Sequence, residues 1–339
     1  MSYITTDNLT NIMAEMTDYC NAACPMCNRF DWNLNLVKGT TNAHHTTLAF
    51  VKEKIDKEII SRLKGWMCQG TYGDAVMNPE TIEIFQYLKE VNPDITITMF
   101  TNGGARNTDF WKTLAKLQVN VTFSIDGLED TNHLYRRNVK WDILMRNVNA
   151  FIECGGRANW HFLVFKHNQH QVDDAKNLSK ELGFKNFESN FSERWQDFNS
   201  DGEYRDITSL KVDDYIIEKP VEQKKDFVKD DDWLKNKNVF LDTDEEADTF
   251  FTRKINCLAC GPTRKEIYLR ANGYVSPCCI LGDVERNEPK NLINDYKKIN
   301  LHHTNLKDIL EGDFFNDLKD GIDGGEKRLQ GCYHACGEK

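Results

Sequence analysis

The feature that most constrains this chain is an alternation of short apolar strands and amphipathic helices that recurs about six times over residues 11–190. One predicted helix, over residues 48–63, places Val51, Ile55 and Ile59 on a single apolar stripe. Strand–helix repeats fold into a parallel sheet with right-handed crossovers. Six units are fewer than the eight of a closed barrel. The repeat therefore predicts an α/β fold with a partial (β/α)6 TIM-like barrel.

The alternating pattern ends near residue 190, and the rest of the chain divides into two parts. Residues 191–250 are rich in Asp, Lys and Glu, which predicts a charged linker or lid with short helices. Residues 251–339 carry clustered cysteines and a hairpin signal at Ala271-Asn272-Gly273. The sequence thus predicts a barrel domain over residues 1–190, the linker or lid, and a small cysteine-rich domain over residues 251–339.

Charge and hydropathy disfavour a membrane protein, a secreted protein and a non-specific nucleic-acid binder. The chain has 43 Lys and Arg against 53 Asp and Glu, a net charge of −10, which disfavours non-specific binding to nucleic acid. Its first residues lack the apolar segment of a secretory signal, and no long stretch is free of charges. We therefore expect a cytoplasmic protein that binds neither membranes nor nucleic acid non-specifically.

Eleven cysteines are unusual for such a compartment, where thiols stay reduced, and their clustering points to metal or redox chemistry. Cys20, Cys24 and Cys27 follow the first predicted strand with three and two residues between them. Three thiolates at this spacing can bind one iron–sulfur cluster and leave one of its irons open to another ligand. A zinc site with a distant fourth ligand is the alternative.

The last third of the chain carries a second set of cysteines. Four thiolates there can bind an auxiliary [4Fe–4S] cluster, and we assign them to Cys260, Cys278, Cys332 and Cys336. Cys257 precedes Cys260 by three residues and is the alternative ligand. Cys279 adjoins a ligand and, on a strand, would point the opposite way. Since only these two thiols remain nearby, the sequence predicts one auxiliary cluster.

The cysteine loop, together with polar residues at the ends of successive strands, resembles the radical S-adenosylmethionine (radical SAM) superfamily. Gly73-Asp74, after the second strand, resembles the Gly-Gly-Glu motif of that family, with Asp in place of Glu. The C-terminal segment resembles its SPASM or twitch-type auxiliary iron–sulfur domain. The resemblance implies contacts to S-adenosylmethionine from Gly73, Asp74, Thr101, Asn102, Ser124, Asp126, Arg136 and Asn168.

Individual roles follow from the same resemblance. Gly73 and Asp74 would hold the methionine amino group, and Arg136, or else Arg137, its carboxylate. The cofactors implied are two [4Fe–4S] clusters and S-adenosyl-L-methionine. An external one-electron donor such as flavodoxin or ferredoxin would reduce the first cluster.

The implied activity is reductive cleavage of S-adenosylmethionine to a 5′-deoxyadenosyl radical, which removes a hydrogen atom from a small-molecule or peptide substrate. The auxiliary cluster would then oxidise the substrate radical, which makes the protein an oxidoreductase or a modifying enzyme. An epimerase is the alternative, with Cys279 or Cys257 as hydrogen-atom donor. A non-catalytic iron–sulfur or zinc protein would explain the cysteines but not the ordered cofactor motifs.

Overall fold

The computed structural model describes residues 4–30, 34–36, 44–192, 195–198, 204–206, 208–221, 265–279, 281–282 and 295–323. The strands in these ranges are β1 (Asn11–Ala14), β2 (Gly65–Cys68), β3 (Thr96–Thr101), β4 (Asn120–Ser124), β5 (Arg157–Val164), β6 (Asn186–Phe191), β7 (Gln196–Phe198), β8 (Tyr204–Asp206), β9 (Ser209–Val212), β10 (Tyr215–Glu218), β11 (Glu266–Leu269) and β12 (Val275–Ser276).

The α-helices of the described ranges are α1 (Leu48–Lys54), α2 (Lys57–Arg62), α3 (Thr81–Val91), α4 (Thr108–Lys116), α5 (Asn132–Tyr135), α6 (Trp141–Glu153), α7 (Val172–Leu182), α8 (Leu306–Leu310) and α9 (Asp313–Ile322). Short 3-10 helices lie at Ala75–Met77, Gln169–Gln171 and Tyr296–Ile299. Within the same ranges, none of the helices combines the length and apolar character needed to span a membrane.

Eight strands of the described residues form one sheet in the order β12-β11-β1-β2-β3-β4-β5-β6. Neighbours from β11 through β6 run parallel, and β12 is antiparallel to β11. Between successive strands of the first six, the chain returns through the helices that cover the sheet. The predicted α/β fold with a partial TIM-like barrel is confirmed, and the carboxyl ends of its parallel strands meet at one edge.

Burial alternates along β5, so one face of this strand packs in the core and the other faces the inside of the barrel. Trp160 and Phe162 are buried, and Trp160 packs against Phe184 at a ring distance of 5.3 Å. The residues between them, such as His161, are only partly buried and face the other side of the sheet. The strand thus anchors itself through one face and presents polar side chains inside the barrel through the other.

The helix predicted over residues 48–63 is interrupted. Two helices, α1 and α2, replace it, because Ile55 adopts an extended conformation between them. The apolar stripe survives the break, since Val51, Ile55 and Ile59 are all buried. Periodicity therefore identified the buried face correctly and missed the interruption.

The predicted short helices of the charged segment are not found in its described residues, which form two hairpins, β7–β8 and β9–β10. The second hairpin packs on the loops that follow β4 and β5. Lys166 donates its backbone N–H to the Glu218 carbonyl oxygen at 3.1 Å, and Tyr215 hydrogen-bonds to the Leu134 carbonyl group. This hairpin therefore lies beside the carboxyl ends of the barrel strands.

The hairpin predicted around Ala271-Asn272-Gly273 is confirmed as β11–β12. Gly273 has a φ of +87°, a conformation that glycine adopts without strain, and a Cβ there would lie 2.6 Å from the His302 ring. The hairpin does not stand apart from the barrel. Strand β11 pairs in parallel with β1, with Ile12 opposite Ile267.

Candidate functional site

A cavity of about 580 Å³ opens at the carboxyl ends of the barrel strands. Its volume lies in the range of small-molecule and cofactor sites. Nine of the residues predicted from the sequence line it, namely Cys20, Cys24, Cys27, Gly73, Asp74, Thr101, Asn102, Ser124 and Arg136. Residues from the loops after β1 to β4 therefore converge on one chamber, although the chain separates the first and last of them by more than a hundred positions.

The three cysteines of the N-terminal group lie on a tight loop directly after β1. Cys27 donates its backbone N–H to the Cys24 carbonyl oxygen at 3.0 Å, which turns the loop back on itself. Burial raises the pKa of the Cys24 thiol to about 11, and the neighbouring Cys27 adds to the rise while Arg136 opposes it. Burial raises the pKa of Cys20 as well, with Asp74 and the other two cysteines contributing.

Such a set of thiols fits an iron–sulfur cluster, because metal binding releases the thiol protons and neutralises the thiolates that would otherwise repel one another. The three cysteines line the same cavity, and Cys27 is close enough to raise the pKa values of the Cys20 and Cys24 thiols. Among the described residues, no group of three or more His, Cys, Asp or Glu side chains is arranged around a single metal ion.

Asp74 joins the loops after β2 and β3. Its Oδ2 accepts hydrogen bonds from the Thr101 hydroxyl at 2.9 Å, the Asn102 backbone N–H at 2.9 Å and the Asn102 side-chain amide at 2.7 Å. Its Oδ1 accepts from the Val76 backbone N–H at 3.2 Å. Burial raises the pKa of this carboxyl, and the hydrogen bonds oppose the rise. Both oxygens are thus engaged within the protein.

Asn102 extends this network to the cysteine loop. Its side-chain nitrogen also lies 3.0 Å from Asn21 Oδ1 and 3.5 Å from Cys20 Sγ. A donor at that distance from sulfur stabilises a thiolate. The loops after β1, β2 and β3 are therefore held together by one amide and one carboxylate.

Arg136 places a cation beside the second cysteine. Its Nε donates to Asp126 Oδ2 at 2.5 Å, and its Nη1 lies 3.5 Å from Cys24 Sγ. Burial by itself lowers the pKa of this guanidinium, but the buried Asp126 carboxylate outweighs burial and raises the pKa above its usual value. Arg136 therefore stays charged inside the cavity.

Asp126 and Asn168 lie outside the cavity lining, in contrast to the other predicted cofactor contacts. Asp126 is fully buried, and its Oδ1 accepts from the Leu163 backbone N–H at 2.6 Å. The Asn168 amide donates to the Asp126 and Leu163 carbonyl oxygens at 2.8 and 2.9 Å. Arg137, the alternative to Arg136, also lies outside the lining and forms an ion pair with Asp213. These side chains brace the loops rather than face the chamber.

Of the cysteines predicted near the auxiliary cluster, the structure describes Cys278 and Cys279. The others, Cys257, Cys260, Cys332 and Cys336, lie outside the described residues, so the choice between Cys257 and Cys260 stays a prediction. Cys279 packs against a small cluster of Met13, Tyr72 and Tyr268. Burial raises the pKa of its thiol to about 11, with Cys278 contributing.

Sequence reasoning missed Arg29 and Glu15, which the fold brings to the site, and it assigned no role to His161. Arg29 is buried, lines the cavity and donates to the Cys20 carbonyl oxygen at 3.4 Å. Glu15 is buried just beyond β1. His161 lines the cavity from β5. Two sequence signals could have found them: the position of Arg29, two residues after the last cysteine of the loop, and the place of His161 between two apolar residues of a strand.

The hydrogen bonds of Asn190 fix the tautomer of His161. The Asn190 side-chain nitrogen donates to Glu188 Oε1 at 2.8 Å, which identifies it as the amide nitrogen, and it lies 3.2 Å from His161 Nε2. His161 Nε2 is therefore an acceptor, and Nδ1 carries the ring proton. Burial lowers the pKa of His161, so the ring is neutral at neutral pH.

Comparison with protein families now identifies the fold. The Radical SAM superfamily profile matches residues 14–178, and the profile of an iron–sulfur cluster-binding domain, SPASM, matches residues 260–337. The chain belongs to the radical SAM superfamily. Membership implies a [4Fe–4S] cluster and S-adenosylmethionine in the barrel, and further iron–sulfur in the SPASM domain. The suspected family and cofactor types are thereby confirmed.

Solved structures with the same fold are distant in sequence. Streptococcus suis SuiB is 13% identical with a TM-score of 0.59, covering 92% of this chain and 68% of that one. SuiB bound to precursor peptide SuiA is 14% identical with a TM-score of 0.58, covering 95% and 67%. The enzyme anSMEcpe with AdoMet and the Cp18Cys peptide is 15% identical with a TM-score of 0.56, covering 97% and 88%. Comparison with curated proteins finds no match.

Proposed function

We propose that this radical SAM protein oxidises a small-molecule or peptide substrate, with an auxiliary [4Fe–4S] cluster as electron acceptor. One observation carries the cofactor-binding part of the proposal: the three cysteines, Gly73 and Arg136 line a single cavity at the carboxyl ends of the strands. The SPASM match over residues 260–337 supports the auxiliary cluster. Cys20, Cys24 and Cys27 would hold the first cluster, which would supply the electron for reductive cleavage of S-adenosylmethionine and so the radical chemistry. A flavodoxin or ferredoxin is the proposed electron donor.

The chain's own residues would bind and orient the cofactor. Arg136 is the proposed partner of the methionine carboxylate, because a guanidinium binds a carboxylate through parallel hydrogen bonds. Both oxygens of Asp74 are engaged within the protein, so we assign the contact to the methionine amino group to the backbone around Gly73. Thr101, Asn102 and Ser124 remain the proposed contacts to the polar parts of the cofactor.

Asp126 and Asn168 take a different role in this proposal from the one their sequence positions indicate. Asp126 fixes the Arg136 guanidinium, and Asn168 fixes the backbone of Asp126. They act as positioning residues, since their polar atoms bond within the protein. Loss of either would misplace Arg136 rather than remove a cofactor contact.

The side of the cavity that β5 and β6 form is the proposed substrate side. It is lined by the neutral His161, by Leu163 and Phe191, and by Ser192 at the end of β6. Apolar surfaces with a few hydrogen-bonding groups suit a neutral group of a substrate. The peptides bound to SuiB and anSMEcpe in their solved structures support a peptide as one candidate.

The deciding experiment is replacement of Cys20, Cys24 and Cys27 by Ala together. The reconstituted natural chain should cleave S-adenosylmethionine to 5′-deoxyadenosine under dithionite, and the triple variant should not. Cys154→Ala is the matched control, because this cysteine ends α6 away from the cavity and should leave cleavage unchanged. Cleavage that persists in the triple variant contradicts the proposal.

Epimerisation is the second candidate, and the state of Cys279 favours it. A half-buried thiol that stays protonated is suited to donate a hydrogen atom, and Cys279 packs near Tyr72, which lies between two cavity-lining residues. In D2O, an epimerase introduces solvent deuterium at the reacting carbon of a product with unchanged composition. An oxidase gives a product that lacks two hydrogens and carries no deuterium. Cys279→Ala, or else Cys257→Ala, would block epimerisation while 5′-deoxyadenosine still forms.

A further inference from the structure

Glu15, a buried carboxyl with no place in the cofactor contacts above, lies at the junction of the barrel and the C-terminal hairpin. We propose that Glu15 is a positioning residue that couples the β11–β12 hairpin to the loop after β2, which carries Gly73 and Asp74. The inference rests on the proposed cofactor role of that loop. It assigns part of the S-adenosylmethionine site to the C-terminal segment, outside the matched radical SAM region.

One side of the carboxyl holds the loop. Glu15 Oε1 accepts the backbone N–H of Thr71 at 2.8 Å, and Oε2 accepts the backbone N–H of Tyr72 at 3.2 Å. Thr71 and Gly73 both line the cavity, and Tyr72 lies between them. The two hydrogen bonds therefore set the path of the backbone directly before the predicted amino-group contact.

The other side of the carboxyl is held by the hairpin. The Tyr268 hydroxyl, on β11, donates to Glu15 Oε1 at 2.9 Å, and Tyr268 is fully buried. The Glu15 backbone N–H donates to the Leu269 carbonyl oxygen at 2.8 Å, which continues the ladder between β1 and β11. Both the side chain and the backbone of Glu15 are therefore hydrogen-bonded to β11.

The far end of the loop is clamped by the cysteine segment. Asp74 donates its backbone N–H to the Tyr19 carbonyl oxygen at 2.9 Å, and Tyr19 directly precedes Cys20. With Glu15 at one end and Tyr19 at the other, the loop has little freedom to move independently of the hairpin and the first cysteine.

Only an acidic side chain satisfies this arrangement. The three donors need acceptors on both oxygens, and a carboxylate has two acceptor-only oxygens. Glutamine offers one acceptor oxygen and an NH2 group, so one of the two loop N–H groups would face a donor. Because the site is buried, water does not readily replace the lost bond.

The test uses the full chain with reconstituted iron–sulfur clusters and S-adenosylmethionine as ligand. Glu15→Gln should raise the dissociation constant about tenfold, or about 1.4 kcal/mol, and Tyr268→Phe about threefold. Both variants should keep the iron content of the natural chain. Without S-adenosylmethionine, amide hydrogen exchange over residues 69–74 should become faster in both, while exchange in β4 stays unchanged.

Tyr87→Phe is the matched control, since it also removes a buried tyrosine hydroxyl but lies on α3. It should change neither binding nor exchange of the loop. Unchanged affinity and unchanged loop exchange in both test variants would overturn the coupling, as would faster exchange spread evenly over the whole protein. If Glu15→Gln does not fold, the affinity and loop exchange of Tyr268→Phe alone test the coupling. If the natural chain binds no S-adenosylmethionine, the proposed function fails, and loop exchange still tests the coupling.

Discussion

Three buried carboxylates surround the cavity, and each is used to hold other parts of the protein. Glu15 holds the loop after β2, Asp74 holds the end of β3, and Asp126 holds Arg136. Buried charges are stable only when hydrogen-bonded or paired. Since these three carboxylates are engaged, the proposed cofactor contacts come from Arg136, from the backbone near Gly73 and from polar side chains such as Thr101 and Ser124.

Arg136→Ala should raise the dissociation constant for S-adenosylmethionine at least about tenfold, because it removes the proposed carboxylate partner. It should also lower the melting temperature, since Asp126 would remain as an unpaired buried charge. Iron content reports whether the clusters still assemble, and we expect that they do.

Arg137→Ala is the matched control for this measurement. Its ion pair with Asp213 is exposed, so its loss should leave both affinity and melting temperature nearly unchanged. If Arg136→Ala binds normally and Arg137→Ala does not, the carboxylate role belongs to Arg137.

His167 should make the protein less stable in mild acid. Burial lowers its pKa to about 4, its Nε2 has no hydrogen-bond partner among the described residues, and its ring stacks on Phe165 at 5.5 Å. Between pH 6.5 and 4 the unfolded chain binds the proton more readily than the folded protein, so stability falls as the pH falls through that window. Because the ring is partly exposed, the loss should be on the order of 1–2 kcal/mol.

Denaturant unfolding of the natural chain and of His167→Phe, at several pH values in that window, measures this contribution. Phenylalanine keeps the stacked ring and removes the titration. The variant should lose less stability than the natural chain between pH 6.5 and 4, and equal losses would show that His167 does not titrate as described.

At the scale of elements, the site is built from loops that touch each other closely. Gly73 lies against the backbone of Thr17 and Tyr19, where a Cβ would approach the Thr17 carbonyl carbon to 2.7 Å. The loops after β1 and β2 can pack at this distance only because no side chain lies between them. Position 73 therefore requires glycine for steric reasons, in addition to its proposed cofactor contact.

Gly73→Ala should displace the cysteine loop and lower the iron bound after reconstitution to less than about half of the natural content, because backbone cannot move aside as a side chain can. Gly65→Ala is the control, since its Cβ would meet the flexible Asn11 side chain at 2.7 Å and other atoms only beyond 3.5 Å. Iron content and near-ultraviolet circular dichroism report the result. Equal iron in the two variants would contradict the steric account.

The elements also show where periodicity succeeds and fails. The amphipathic stripe of residues 48–63 correctly gave the buried face, yet the break at Ile55 depends on how α1 and α2 each pack against α3. The charged segment gave no strand signal strong enough to predict β9, although Leu210 and Val212 alternate with exposed residues as a strand requires. Its hairpin forms because the barrel loops offer it a surface.

At the scale of the whole molecule, β11 lies in the barrel sheet although it is more than two hundred residues from β1 in sequence. A fragment that ends at residue 264 should lose this strand and expose the edge of β1. We expect it to aggregate or to melt at a lower temperature than the full chain, because an exposed strand edge pairs readily with other chains. A fragment that stays monomeric and equally stable would show that β11 is dispensable.

The full chain should hold about eight irons after anaerobic reconstitution, corresponding to two four-iron clusters. The variant with Cys20, Cys24 and Cys27 replaced by Ala should retain about four. Iron and sulfide analysis checks both numbers. Zinc in place of iron after anaerobic purification would favour the metal-binding alternative.

The sequence by itself determined the fold class, the cysteine loop and the family, because strand–helix alternation and cysteine spacing are local patterns. It also predicted nine of the residues that line the cavity, since residues that end parallel strands must meet at one edge of the sheet. Only the tertiary structure decided which side chains face the chamber and which brace it. Asn168 and Asp126 follow strands as Ser124 does, yet their polar atoms are taken by neighbouring loops. His161 and Glu15 are hydrogen-bonded to residues distant in sequence, Asn190 and Tyr268, and a local pattern does not show which distant residues will become such partners.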